Sequence, residues 1–113
     1  MQFFRPKPPQ ITVHELKRLR DEGASFLLID VRQPEEREIA TIGGMNIPLS
    51  ELSEGLDQLK DRRDERIVVY CRSGARSDNA AAFMMSMGFT RVYNLQGGIL
   101  AWSAEIDPSI PLY

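Results

Sequence analysis

A chain of 113 residues, 42% apolar and 27% charged, has the size and composition of a single globular domain with one core. Its net charge of −2 comes from interleaved acids and bases. That excludes the basic patches of a nucleic-acid or membrane-surface binder, and no apolar stretch is long enough to span a bilayer.

Met1 to Gln10 carries Pro6, Pro8 and Pro9 and lacks the apolar stretch of a signal peptide. Residues 1–10 therefore read as an extended arm ahead of one domain over 11–113. Thr12-Val13-His14-Glu15 is a capping-box pattern, Leu16 and Leu19 supply an apolar side, and Gly23 suits the C-terminal turn. Together they predict a helix over 13–22. Phe26-Leu27-Leu28-Ile29-Asp30-Val31 is an apolar run of the kind that forms a strand buried on both faces. Pro34-Glu35-Glu36 reads as a first helical turn, with proline at its start and acids at the positive dipole end. Gly43-Gly44 breaks it, and Met45-Asn46-Ile47 suits a short strand.

Residues 48–60 predict an amphipathic helix capped by Ser50 and carrying Leu52, Leu56 and Leu59. The charged run 60–66 reads as a solvated linker. Ile67-Val68-Val69-Tyr70 is a second buried strand, ending at Cys71. Ala80, Phe83, Met84 and Met87 recur at i, i+3, i+4 and i+7, which predicts a helix over 78–87 with that side buried and Gly88 ending it. Arg91-Val92-Tyr93-Asn94-Leu95 is a third strand, Gly97-Gly98 opens a last helix through Trp102, and the tail 107–113 is irregular. Strands alternating with helices imply an α/β fold: a parallel sheet with right-handed crossovers and helices on both faces. Ligands bind such sheets outside the carboxyl ends of the strands. Cys71 lies at one such end, Asp30 and Arg32 at another, and Gly97 follows a third.

Cys71 is the only cysteine. It cannot form an internal disulfide, so a reducing cytoplasm is the expected compartment, and a single histidine beside it excludes a Cys/His metal site. No metal and no cofactor is expected. The thiol opens Cys71-Arg72-Ser73-Gly74-Ala75-Arg76-Ser77, between a strand and a helix. A thiol is inert until ionised, and helix N-termini and neighbouring cations favour the thiolate. Loop amides, the helix dipole, Arg72 and Arg76 all act in that direction. Gly74 permits the tight turn, Ser73 and Ser77 offer hydroxyl donors, and Ser77 is also a natural N-cap. His14 stands far along the chain, which argues against a cysteine-protease pair, and the lack of a second thiol argues against a dithiol oxidoreductase. A thiolate that takes a group from a sulfur or phosphorus electrophile and passes it on remains. The spacing from Cys71 to Arg76 is Cys-x4-Arg, one residue shorter than the Cys-x5-Arg loop that wraps a phosphate, which favours sulfur.

Leu28-Ile29-Asp30-Val31-Arg32, Asn46-Ile47-Pro48, Cys71-Arg72-Ser73-Gly74-Ala75-Arg76-Ser77 and Leu95-Gln96-Gly97-Gly98-Ile99-x-x-Trp102 stand in an order and spacing that resembles the rhodanese homology domain. The resemblance runs from about Ile11 to Trp102. Glu38-Ile39-Ala40-Thr41-Ile42 and the tail Ile106-Asp107-Pro108…Pro111-x-Tyr113 look like the rhodanese domain that ends adenylyltransferase/sulfurtransferase proteins of molybdopterin and thiamine biosynthesis. The resemblance implies a five-stranded parallel sheet flanked by helices and a sulfurtransferase whose Cys71 carries a persulfide in the loop 71–76. It implies a small sulfur donor and acceptor, with a sulfur-carrier protein as a further acceptor. Two alternatives stay open: a sulfur-relay or protein-binding module, and a phosphatase or arsenate reductase. The oligomeric state also stays open.

The other residues have plainer readings. Asp30 and Arg32 read as a local structural pair, with Asp30 near enough to the site to order Arg76, itself an anion clamp. Arg72 either lines the entrance or pairs with surface acids. Trp102 and the methionines 84, 85 and 87 read as core, His14 as exposed, and Glu35-Glu36-Glu38 as a solvated face.

Overall fold

The computed structural model describes residues 5–113. Five segments pair into one parallel sheet: β1 (Gln10–Ile11), β2 (Leu27–Asp30), β3 (Met45–Asn46), β4 (Ile67–Tyr70) and β5 (Val92–Leu95), in the order β1-β5-β4-β2-β3. The α-helices are α1 (Val13–Asp21), α2 (Pro34–Ile39), α3 (Leu52–Gly55), α4 (Ala75–Ser86) and α5 (Gly98–Glu105). A parallel sheet covered by helices on both faces is the expected architecture. The expected arm differs at its end, because Gln10 belongs to β1, paired with Asn94 on the sheet edge. Two residues between proline and a helix cap carry no strand periodicity, so this strand was illegible. The part of the arm at residues 1–4 lies outside the described residues.

Side chains alternate across a strand, and here the alternation builds two cores. Ile29, Val31, Ile67, Val69, Cys71 and Val92 pack with Leu52, Leu56, Leu59, Ala80, Ala81 and Met84. On the other face Leu28, Val68, Tyr70 and Leu95 pack with Val13 and Leu16 of α1 and Ile99 and Trp102 of α5. Cys71 therefore faces α4, whereas Tyr70, and Asp30 beside it in register, face α1 and α5.

Three helical expectations need correction. The segment after Pro48 is not one helix: Leu49–Glu51 and Leu56–Arg62 are 3-10 turns around the short α3, although Leu52, Leu56 and Leu59 are buried as expected. The supposed linker 60–66 is thus partly helical, and Ser50 makes no cap. In α4, Ala80 and Met84 are buried, but Phe83 is 38% and Met87 50% exposed. Small Ala81 packs against the sheet beside Ala80 and Met84, letting the helix approach closely. Finally, α4 starts at Ala75 behind Gly74, whose φ of +109° a side chain rarely adopts. Ser77 therefore sits in the first turn and not at the cap.

Candidate active site

The loop after β4 curls because its carbonyls are held from outside. Ile99 N donates to the carbonyl of Cys71 (2.9 Å) and Leu100 N to that of Arg72 (3.1 Å). These amides come from the first turn of α5, where they have no partner within their own helix. Gly98 makes the approach possible: a Cβ there would lie 2.6 Å from the carbonyl oxygen of Cys71 and closer still to that of Arg72. With the carbonyls turned out, the amides behind them face in. Gly74 N lies 3.1 Å and Ser77 N 3.4 Å from Cys71 Sγ, and Ser77 Oγ lies 3.3 Å from it. The sulfur is buried, 1% exposed, yet on this side it meets two backbone donors and a hydroxyl oxygen and not hydrocarbon. It sits at the open N-terminus of the twelve-residue α4, where backbone N–H groups and the dipole favour an anion.

The other site residues fall into two groups. Gly74 and Ser77 form the buried floor with Cys71. Ser73 and Ala75 are exposed on the rim. Arg72 is exposed and turns to the tail: its Nε donates to the carbonyl of Tyr113 (2.5 Å) and its guanidinium lies 5.3 Å from the Tyr113 ring. Among the described residues it has no acid partner.

Arg76, expected as an anion clamp, already holds a carboxylate. Its guanidinium grips the Glu36 carboxylate with both ends, at 2.7 and 2.8 Å. Nor does Asp30 order it. The strand alternation places Asp30 on the far face, where it takes two bonds from the Arg32 guanidinium (2.9 Å each), one from the Arg32 backbone amide (3.0 Å) and one from Arg37 (3.2 Å). Arg32 also donates to the Ala40 carbonyl (2.8 Å) and the Tyr113 hydroxyl (2.7 Å), fixing the turn after α2 and the tail. Burial opposes the Arg32 charge, but the hydrogen bonds to Asp30 and Tyr113 hold its pKa above the usual range. The pair ties the end of β2 to the turn after α2 and to the tail, on the opposite face of the sheet from the sulfur.

The sequence did not single out Glu36, Tyr113 or Asn94. Glu36 is half-buried, not a solvated acid. It accepts from Gln33 N, both ends of Arg76 and the Tyr113 hydroxyl, and the Arg76 guanidinium above all holds its carboxyl down at about 2, against an ordinary 4.5. A carboxyl depressed in the folded state adds stability above its ordinary value, and that contribution is lost as pH falls toward 2. Glu36→Gln is expected to lower stability by about 1 kcal/mol at pH 7, since Arg76 is partly exposed. The gap to the parent should close toward pH 2.5 in urea melts, and a gap independent of pH would exclude this role. Asn94 had a visible signal: it is the one polar residue in the buried strand Val92–Leu95.

The chain matches the family model described as Rhodanese-like domain over residues 12–105. It is 39% identical to the adenylyltransferase and sulfurtransferase MOCS3-1 of Zea mays, over 96% of this chain and 24% of that protein. The probable adenylyltransferase/sulfurtransferase MoeZ of Mycobacterium tuberculosis is likewise 39% identical, over 95% of this chain and 28% of its own length. This chain thus spans about a quarter of the length of those relatives. A sulfurtransferase of Allochromatium vinosum is 41% identical over 89% of this chain and 94% of its own. The crystal structure of a rhodanese-related protein from Thermoplasma volcanium superimposes with a TM-score of 0.78 at 31% identity, covering 93% of this chain and 99% of that one. Matched over most of its length in sequence and fold alike, this chain belongs to the rhodanese family.

Proposed function

We propose that this domain is a rhodanese-type sulfurtransferase in which Cys71 carries a sulfane sulfur as a persulfide. One observation carries the reading: two backbone amides, of Gly74 and Ser77, converge on a single sulfur at a helix N-terminus. Donors fixed before the reaction stabilise an anion without having to reorganise when it forms. The Cys71 thiolate attacks the outer sulfur of a donor such as thiosulfate or a low-molecular-weight persulfide. The Sγ–S bond forms, the donor's S–S bond breaks, and its electron pair leaves with sulfite or the donor thiolate. A nucleophile then attacks the outer sulfur, the Sγ–S bond breaks, and the thiolate returns. The loop spans six residues, so the cradle fits a sulfur atom better than a tetrahedral phosphate.

The acceptor is a small thiol, cyanide or a sulfur-carrier protein. The relatives that join this domain to an adenylyltransferase support the last of these. The cycle needs a reduced Cys71, in keeping with a reducing compartment such as the cytoplasm.

Incubation with thiosulfate or a small persulfide, followed by intact mass measurement, is expected to add one sulfur atom to the chain, mapped to Cys71. Cyanide should then remove it as thiocyanate. A chain that takes up no sulfur from either donor, while its thiol remains free to alkylation, would overturn the proposal.

A further inference from the structure

Asn94 is 3% exposed in β5, opposite Val69 of β4, and so on the face that carries Cys71. An amide buried in an apolar strand must have its donors and acceptor satisfied, and the direction of its bonds can be read from its neighbours. Gln10 Nε2 lies 3.2 Å from the carbonyl of Pro8 and 3.1 Å from Asp78 Oδ1, and both of these only accept. The Gln10 oxygen therefore faces Asn94, whose Nδ2 donates to it (3.0 Å) and to the carbonyl of Gly74 (3.2 Å). That leaves Asn94 Oδ1 facing Ser77 Oγ at 2.5 Å, as an acceptor only. Ser77 has one hydroxyl proton. Asn94 is its nearest acceptor, against 3.3 Å to the Gly74 carbonyl and 3.3 Å to Cys71 Sγ. The hydroxyl therefore turns a lone pair, and not a proton, to the sulfur.

We propose that Asn94 is a positioning residue which, by taking the only hydroxyl proton of Ser77, favours the uncharged state of Cys71 Sγ. Before loading that state is the thiol, whose S–H donates to Ser77. After loading it is the inner sulfur of the persulfide, with the charge on the outer sulfur. This deepens the proposed function and rests on it for the loaded state. The amides of Gly74 and Ser77 favour an anion, and the Asn94–Ser77 pair opposes one at the inner atom. The balance holds charge on the transferable sulfur.

The charged groups around the sulfur stay as they are in the variants below. Arg76 of α4 is tied to Glu36 of α2, Arg72 of the loop to Tyr113, and Asp78 of α4 to Arg5.

The experiment is the rate of Cys71 alkylation by iodoacetamide across pH, which does not depend on sulfur transfer. Ser77→Ala removes the lone pair from the sulfur, and the profile is expected to move toward acid by about half a pH unit. Asn94→Leu frees the Ser77 hydroxyl to donate to sulfur, and a larger acid shift of about one unit is expected, roughly tenfold faster alkylation below the midpoint. In the Ser77→Ala background, Asn94→Leu should add nothing. An alkaline shift for Ser77→Ala would mean that the hydroxyl donates to the sulfur, and would overturn the proposal even if Asn94→Leu did not fold. An Asn94→Leu shift that persists without the Ser77 hydroxyl would also overturn it. Profiles that move as stated in a chain that takes up no sulfur would sink the sulfurtransferase reading and leave the role of Asn94 standing. Unmoved profiles in a chain that loads sulfur would do the reverse.

Discussion

Cys71→Ser is expected to fold as the parent does and to transfer no sulfur. Oxygen is smaller than sulfur and fits the same floor, and the amides of Gly74 and Ser77 can still donate to it. The stability change should stay within about 1 kcal/mol, the range of a conservative core change. The chemistry does not survive, because among the described residues no base bonds to this position and a serine hydroxyl stays protonated. His14 cannot serve, since it is exposed on α1 and pairs with Glu105. Sulfur uptake should vanish from the mass spectrum and thiocyanate formation should fall to the rate without protein. A variant that folds and still loads sulfur would show that the reaction runs elsewhere. The same variant tests the module alternative: a pure binding domain would keep its partner after Cys71→Ser, whereas a relay would keep the partner and lose the sulfur.

Much of this site could be read from local pattern. The apolar run 67–70, the glycine three residues past the thiol and the helix after it are consecutive in sequence, so they place Cys71 at the carboxyl edge of a sheet before any coordinates. Rules that span one turn also held. Thr12 and Glu15 form the expected capping box, and Pro34 opens α2 with Glu36 in its first turn. What failed was pairing across elements. Arg76 meets Glu36 forty residues away, and which acid it meets depends on strand alternation. One residue of pleat sends Asp30 to the opposite face from Cys71 and leaves α2 to supply the carboxylate. Ser77 failed as a cap for a related reason. Gly74 in the left-handed region starts the helix three residues early and turns Ser77 from a terminal acceptor into a neighbour of the sulfur. Phe83 and Met87 obeyed helical spacing, but a four-residue pattern sets only a face, and the sheet chose the alanine side of it.

The substitution expected to do most damage outside the thiol is Gly98→Ala, because one methylene meets the backbone that shapes the cradle. Two effects add. Gly98 has φ of +60°, where an L side chain loses about 1–2 kcal/mol. The new Cβ would also stand 2.6 Å from the Cys71 carbonyl oxygen, and backbone cannot swing aside as a flexible side chain can. Relief requires the loop and α5 to part, breaking the bonds from Ile99 N and Leu100 N at about 1 kcal/mol each. The expected loss is about 3 kcal/mol or more, a large share of the roughly 5–15 kcal/mol that holds a domain together. The folded fraction should also lose function. Once the carbonyls of Cys71 and Arg72 are free to turn, the amides no longer point at the sulfur, and a displacement near 1 Å is enough to slow such chemistry about a hundredfold. Gly23→Ala is the control. Its φ is +66°, but nothing lies within 4 Å of its Cβ position, so it should lose only the conformational 1–2 kcal/mol and load sulfur at the parental rate. Urea melts and sulfur loading of the two variants side by side separate backbone strain from collision with the loop. Equal losses of stability, with loading intact in both, would mean that α5 does not hold the cradle.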